Sequence, residues 1–328
     1  MDISAIIAEF GAYYEQAGQN KARILAMLSQ GEVTPGYCTP VKTDDTIYRL
    51  GKVTMGNIVQ SFQIGWTPKK NAAFTPNELR LYKMKVDDEI DPDNIEDTWL
   101  GFLASAAVSR KEWPIVKYLI EHPEAGYLAA IARDMETLCY GKGVYVAPTQ
   151  NVAGITQNSM NGFIIALQNG VNAETINSIN IGALDKDTIF DQVELFTDGI
   201  SEIYQNVNMN VFMSPKWAKY YHRDKRAQGF YSFASEAEVN KLSGKIDFTP
   251  LNVTALPSLS GTDVIFATPK ANFLHLTKKG QNKNKINIEE SKRSVFFMAD
   301  WWEGIGFGMD AAVWTNLQPA GSGSGSAE

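Results

Sequence analysis

The sequence predicts an α+β fold, on three grounds. Apolar residues recur at helical spacing near the N-terminus and again over about 95–111, 123–138, 186–205 and 215–228. Two stretches within residues 46–90 alternate apolar and polar side chains, the mark of half-buried strands. The last third falls into short runs parted by proline and glycine, and closes on an aromatic, glycine-rich segment.

Taken in order, residues 2–16 carry Ile3, Ile6, Ile7, Phe10, Tyr13 and Tyr14 at helical spacing behind Asp2. A second helix over about 20–29 brings Ile24, Leu25 and Leu28. Gly31, Pro35, Gly36 and Pro40 then open an extended arm. In NIVQSFQIGW, Ile58, Phe62, Ile64 and Trp66 share one strand face. In ELRLYKMKV, Tyr82, Met84 and Val86 do the same, with Lys83 and Lys85 opposite. TPKKNAAFTPN, 67–77, joins the two without a period, so a long hairpin with a broad polar tip is expected. An isolated two-stranded hairpin is marginal in water. Little in the flanking sequence is fit to cover this one, which hints at a partner.

After an acidic turn at 87–94, a helix is expected over about 95–111. Another, of about five turns from Pro123, carries Tyr127, Leu128, Ile131, Met135 and Leu138, and Gly141 and Gly143 stop it. Residues 144–182 are rich in Asn and Gly and read as loops around short elements. Ile189, Phe190, Val193, Phe196, Ile200 and Ile203 mark a helix over 186–205. The strand NMNVFM, 208–213, leads into a helix capped by Ser214 with Pro215 at its first position. Short strands follow over 246–276. The segment 278–293 is polar and basic. The end reads as strands bent at Gly304, Gly306 and Gly308, with a flexible tail behind them.

The 328 residues carry a net charge of −7, with 44% hydrophobic and 20% charged residues. This is ordinary globular composition. It argues against a protein that grips nucleic acid through clustered Lys and Arg. Cys38 and Cys139 stand far apart in unlike contexts, so no disulfide framework is expected and a reducing compartment fits. The N-terminus has no signal-peptide pattern, and no apolar run approaches the roughly 20 residues that span a bilayer.

His222-Arg223-Asp224 spells the start of a kinase catalytic loop. The metal-binding Asn of that loop would fall at Gly229, and no Asp-Phe-Gly follows. The tripeptide is better read as the end of a helix, with its cations favoured by the helix dipole and Gly229 closing it. Gly304, Gly306 and Gly308 have Met309 where a dinucleotide fingerprint needs glycine. His122, His222 and His275 are isolated in sequence, without a second ligand at metal-binding spacing. No catalytic residue, cofactor site or metal site is assigned.

Three stretches are similar to landmarks of one family. YLAAIARDMETLCYGKG (127–143), with the following loop at Gly154-Ile155, resembles the end of its spine helix. NVNMNVFMSPKWAKYYHRDKRAQGFY (206–231) resembles a strand entering a Pro-capped helix, and VIFATPKANFLHLTKKG (264–280) a returning strand. With the arm and hairpin before them, the chain resembles the major capsid proteins of tailed bacteriophages, the Hong Kong 97-type fold. The resemblance spans most of residues 1–317, on loose motifs. It implies an N-terminal arm over 1–45, an extended E-loop hairpin over 46–92 and a P-domain with spine helix and long sheet starting at 93–150. An A-domain over 151–275, P-domain C-terminal strands over 276–317 and a tail over 318–328 complete the set.

The same resemblance implies a structural protein, not an enzyme. Hexamers and pentamers of the chain would close an icosahedral virion capsid around double-stranded DNA, without sequence-specific binding and without a membrane. Assembly would take place in the host bacterial cytoplasm, with scaffolding, portal and minor capsid or decoration proteins as partners. The sequence leaves no room for the long N-terminal scaffolding region of some relatives, so a separate scaffold or a trimmed chain is expected. Candidate inter-subunit contacts are Ile58, Phe62, Trp66, Lys69, Lys70, Phe74 and Tyr82 of the hairpin, and Phe10, Tyr13 and Tyr14 of the arm. Some relatives join a hairpin lysine to a neighbour's asparagine. Lys69 and Lys70 sit at the right place, and their plainer reading is as solubilising or salt-bridging charges. Two alternatives stay open: an encapsulin-like nanocompartment around a cargo enzyme, and an oligomeric enzyme with its site in the 144–182 loops.

Overall fold

The computed structural model describes residues 32–55, 59–66, 68–69, 72–90, 126–229, 244–279, 285–291 and 294–320. The helices expected over 2–16, 20–29 and 95–111, and most of the tail, lie outside them.

Two sheets organise the described chain. The first is built on the 14-residue strand β12 (Ser294–Phe307). It pairs antiparallel with β4 (Tyr82–Ile90), β11 (Lys285–Ser291) and β10 (Phe273–Lys278), and β1 (Thr39–Thr43) runs parallel to β10. β4 shows the alternation read from sequence: Tyr82 and Met84 are buried, Lys83 and Lys85 exposed. Helix α2 (Tyr127–Asp134) continues through a π-helical turn, Met135–Cys139, and lies on this sheet. Its Tyr127 ring stacks on Phe297 at 4.5 Å, and the Tyr127 hydroxyl donates to Asp88 Oδ2 at 2.5 Å.

The second sheet has the order β5 (Asn177–Ser178), β13 (Trp314–Thr315), β9 (Phe266–Thr268), β6 (Asn210–Met213), β8 (Asn252–Ala255), β7 (Gly244–Lys245). Helices α4 (Ile189–Asp198) and α5 (Pro215–Ala227) pack on it around Val193, Phe196, Val211, Met213, Trp217 and Tyr221. α5 begins as its sequence says, with Ser214 Oγ accepting the Trp217 N–H at 3.4 Å. It closes at Gly229, whose φ of +84° is a left-handed conformation that glycine adopts without strain. His222-Arg223-Asp224 lies in its last turns. Buried Asp224 accepts the Phe190 N–H on Oδ2 at 2.8 Å, so the aspartate of the kinase-like tripeptide caps the start of α4.

Several expectations change. The hairpin is made by β2 (Ile47–Met55) and β3 (Ala72–Arg80), paired from Ile47↔Arg80 to Met55↔Ala72. Residues 59–66, which alternate like a strand, form none: that register leaves them in the connection, with no ladder partner. The run ELRLYKMKV is split at Leu81, and its second half joins the first sheet. Within 144–182, Phe163–Asn172 is a true helix, α3, with Phe163, Leu167 and Val171 buried at four-residue spacing. β12 continues unbroken through Gly304 and Gly306. A Cβ at Gly304 would meet the Arg80 carbonyl oxygen at 2.5 Å, so glycine there serves close packing. Finally, β13 leaves the first sheet for the second, where Trp314 is buried.

Candidate functional site

Among the described residues, candidate functional side chains gather at the hairpin and at the junction by its foot. At the foot, Leu79 and Leu81 are buried with Leu274 and Leu276, and Tyr48, Leu50 and Trp302 pack around them. The Leu81 N–H donates to the Thr46 carbonyl at 2.9 Å, and Asn77 Nδ2 donates to the Phe307 carbonyl at 2.9 Å. From this anchor two nine-residue strands rise. At about 3.4 Å per residue they carry the tip roughly 30 Å away.

The tip is apolar and bare. Val59, Phe62, Ile64 and Trp66 are 87%, 94%, 98% and 91% exposed. Scattered apolar residues are normal on a surface, but four large ones within eight positions make the tip a candidate interaction site. Lys69 Nζ donates to the Val59 carbonyl at 2.7 Å and so ties the tip to itself. Phe74 stands in β3 opposite Val53. Tyr82 is corrected: it is 8% exposed, its hydroxyl accepts from Asn161 Nδ2 at 2.8 Å, and its ring lies 4.8 Å from that of Tyr145. A residue so enclosed in its own chain offers nothing to a second one. Ile58, Lys70, Phe10, Tyr13 and Tyr14 lie outside the described residues.

Beside the hairpin foot runs a groove of about 780 Å³, lined in part by Tyr82, Met84, Met135, Tyr145, Ile155 and Trp301. It includes part of the 144–159 segment. Among the described residues no group of three His, Cys, Asp or Glu is placed to hold a metal ion. No helix there is long and apolar enough to cross a membrane.

At the junction, the short helix α1 (Thr34–Tyr37) meets the π-helical turn that follows α2. Glu136 is 4% exposed. Its Oε2 accepts the N–H groups of Val33 at 3.1 Å and Thr34 at 3.0 Å, and its Oε1 accepts the Thr34 hydroxyl at 2.7 Å. Glu303, also buried, accepts from the Tyr140 hydroxyl at 2.7 Å and from Trp301 Nε1 at 3.2 Å, and is bonded to His275 Nε2. Glu32 lies beside them. Burial, with the charge of Glu303 and then of Glu136, pushes its carboxyl up to about 8. Burial likewise raises the thiol of Cys38, and that of Cys139 to about 11, so neither is a ready nucleophile at neutral pH.

This cluster escapes a linear reading. His275 stands 28 residues from Glu303, and strand pairing brings them together. One signal was present: Glu136 falls four residues after buried Ala132 and three before buried Cys139, on the apolar face of its helix.

No protein-family model matches the chain, and no curated protein does. Solved structures match it nearly end to end. A chain of the satellite phage P4 procapsid including the size determination (Sid) protein matches with a TM-score of 0.53 at 12% identity, over 91% of this chain and 99% of that one. The chain has the Hong Kong 97-type capsid fold. A chain from the capsid of the Myoviridae phage XM1 gives a TM-score of 0.52 at 12% identity, over 87% of this chain and 90% of its own. At such identity the capsid fold is carried by the arrangement of elements and not by shared side chains.

Proposed function

We propose that the chain is the major capsid protein of a tailed bacteriophage. Hexamers and pentamers of it would build an icosahedral shell around double-stranded DNA in the bacterial cytoplasm, with scaffolding, portal and decoration proteins as partners. The observation that carries this reading is the capsid fold, matched over 91% of this chain and 99% of a procapsid chain. Both shells compared are phage shells, which favours a genome over an enzyme cargo as the content.

The hairpin supports the reading physically. Its apolar tip stands roughly 30 Å from its own foot, where the chain's groove lies. Cover for Phe62, Ile64 and Trp66 therefore comes from a neighbouring copy, with Ile58 and Phe74 as further contacts and Phe10, Tyr13 and Tyr14 clasping from the arm. Each contact can be weak, since about −4 kcal/mol is only millimolar affinity. Many simultaneous contacts turn it into a stable container. A net charge of −7 suits a wall that encloses DNA without gripping it. Lys69 serves the tip's own geometry in this reading, with a cross-link as a further role.

Electron microscopy of the purified chain, with light scattering, tests the proposal. Closed shells, or hexamers and pentamers that close when scaffold is added, are expected. A monomer or dimer that persists at every salt and pH contradicts it.

A further inference from the structure

Phe248 is fully exposed and sits at φ +60°, a backbone shape that costs any residue with a side chain. The turn around it is well tied. The Ile246 N–H donates to the Leu251 carbonyl at 3.0 Å, and the Thr249 hydroxyl donates to the Ile246 carbonyl at 3.0 Å. Asp247 pairs with Lys225 of α5 at 2.7 Å. A phenylalanine held outward by its own chain, at a cost and left uncovered by it, points to a use outside that chain.

Acids stand beside this knob. Asp191, Glu194 and Asp198 recur at three- and four-residue spacing on α4. Burial, and then the charges of Asp191, Asp198 and Asp247, raise the Glu194 carboxyl, so the four share one surface. Among the described residues, the Lys225–Asp247 contact is the sole ion pair this group makes.

The other flank of α5 is the reverse in shape and charge. A cleft of about 390 Å³ opens between Lys186, Tyr220, Arg223 and Ala227. Its two carboxylates are already engaged, Asp187 with Lys186 and Asp224 with the Phe190 N–H. Exposed Lys216, Lys219, Arg223 and Arg226 run along this side of the helix and make no ion pair among the described residues. Tyr220 of the cleft and Lys225, which holds the knob's turn, stand about 140° apart around α5. Knob and cleft therefore lie on different flanks, and the full exposure of Phe248 shows that its own cleft does not hold it.

We propose that this domain joins copies head to tail: Phe248 of one copy seats in the Tyr220–Arg223 cleft of the next, with the acidic edge of the first against the basic edge of the second. An aromatic ring gains from a guanidinium and from the apolar stems of long cationic side chains. Opposite charges along the two edges fix the register. Because knob and cleft are different patches, each copy uses both, and the contact propagates around a ring instead of ending at a two-fold dimer. The inference rests on the capsid reading and names a joint between neighbours within one hexamer or pentamer.

The full-length chain carrying p-benzoylphenylalanine in place of Phe248, which keeps an aromatic knob, is irradiated under assembly conditions. The cross-linked peptides are mapped by mass spectrometry. The label is expected on residues 220–227 or on Lys186 of a second copy. A label on any other surface, or only within its own chain, overturns the inference. Phe248→Gly and Arg223→Glu should each raise the concentration needed for assembly about tenfold or more, while the unassembled protein melts no lower than the parent. If both variants assemble as the wild type does, this joint falls and the capsid reading stands. A wild type that assembles at no salt or pH brings down both.

Discussion

The hairpin tip leaves Phe62, Ile64 and Trp66 more than nine-tenths exposed, whereas the junction below it buries Glu136 and Glu303 with partners inside the same chain. One region is apolar and unfinished; the other is polar and complete. Hydrophobic side chains in water gain by being covered, and in the proposed shell a neighbouring copy covers the tip. Buried carboxylates lose heavily if a partner is taken away, so the junction resists disassembly of the chain itself. Stability and assembly are thus written in separate places, and each should break without the other.

The largest stability effect is expected at the junction. Glu136→Ala strips acceptors from the Val33 and Thr34 N–H groups and the Thr34 hydroxyl. Leaving such groups unsatisfied should cost about 3 kcal/mol, measured by denaturant unfolding of unassembled protein. Next comes Gly304→Ala, whose new methyl meets backbone at Arg80 and should cost about 2 kcal/mol. Gly306→Ala meets only the Leu79 side chain and should cost less, because a side chain can turn aside where a carbonyl cannot. A smaller effect of opposite sign is expected at Phe248, fully exposed with φ +60°. Phe248→Gly should gain up to about 1 kcal/mol by relieving that backbone. The smallest change belongs to the tip. Phe62→Ser, Ile64→Ser and Trp66→Ser together should leave unfolding within about 0.5 kcal/mol of the parent, yet remove assembly.

How much of this was legible in the sequence follows from how local each signal is. Helix α5 was legible because Ser214, Pro215 and Gly229 act on neighbouring residues. The alternation of Tyr82 and Met84 against Lys83 and Lys85 was legible for the same reason, though the partner of that strand was not. The hairpin register was not readable: two alternating runs competed, and the choice is made by Leu79 and Leu81 packing on Leu274 and Leu276, almost two hundred positions away. The fold class came from the order of parts, which survives when side chains do not. The junction was nearly invisible, since Glu32, Glu136, His275 and Glu303 are joined only by the tertiary fold. Residues 59–66 were seen to carry apolar side chains but were misread as a strand, with a polar tip expected after them, because alternation says which face is apolar and not whether a ladder partner exists.

The most direct test of the central claim is sedimentation velocity on the wild type and the Phe62→Ser/Ile64→Ser/Trp66→Ser variant, side by side under assembly conditions and paired with their melting curves. The wild type should run as shell-sized particles, while the variant melts alike and stays as free subunits or capsomers. A variant that assembles as the wild type does would contradict the account, because the tip would then be an ornament and not the joint between copies.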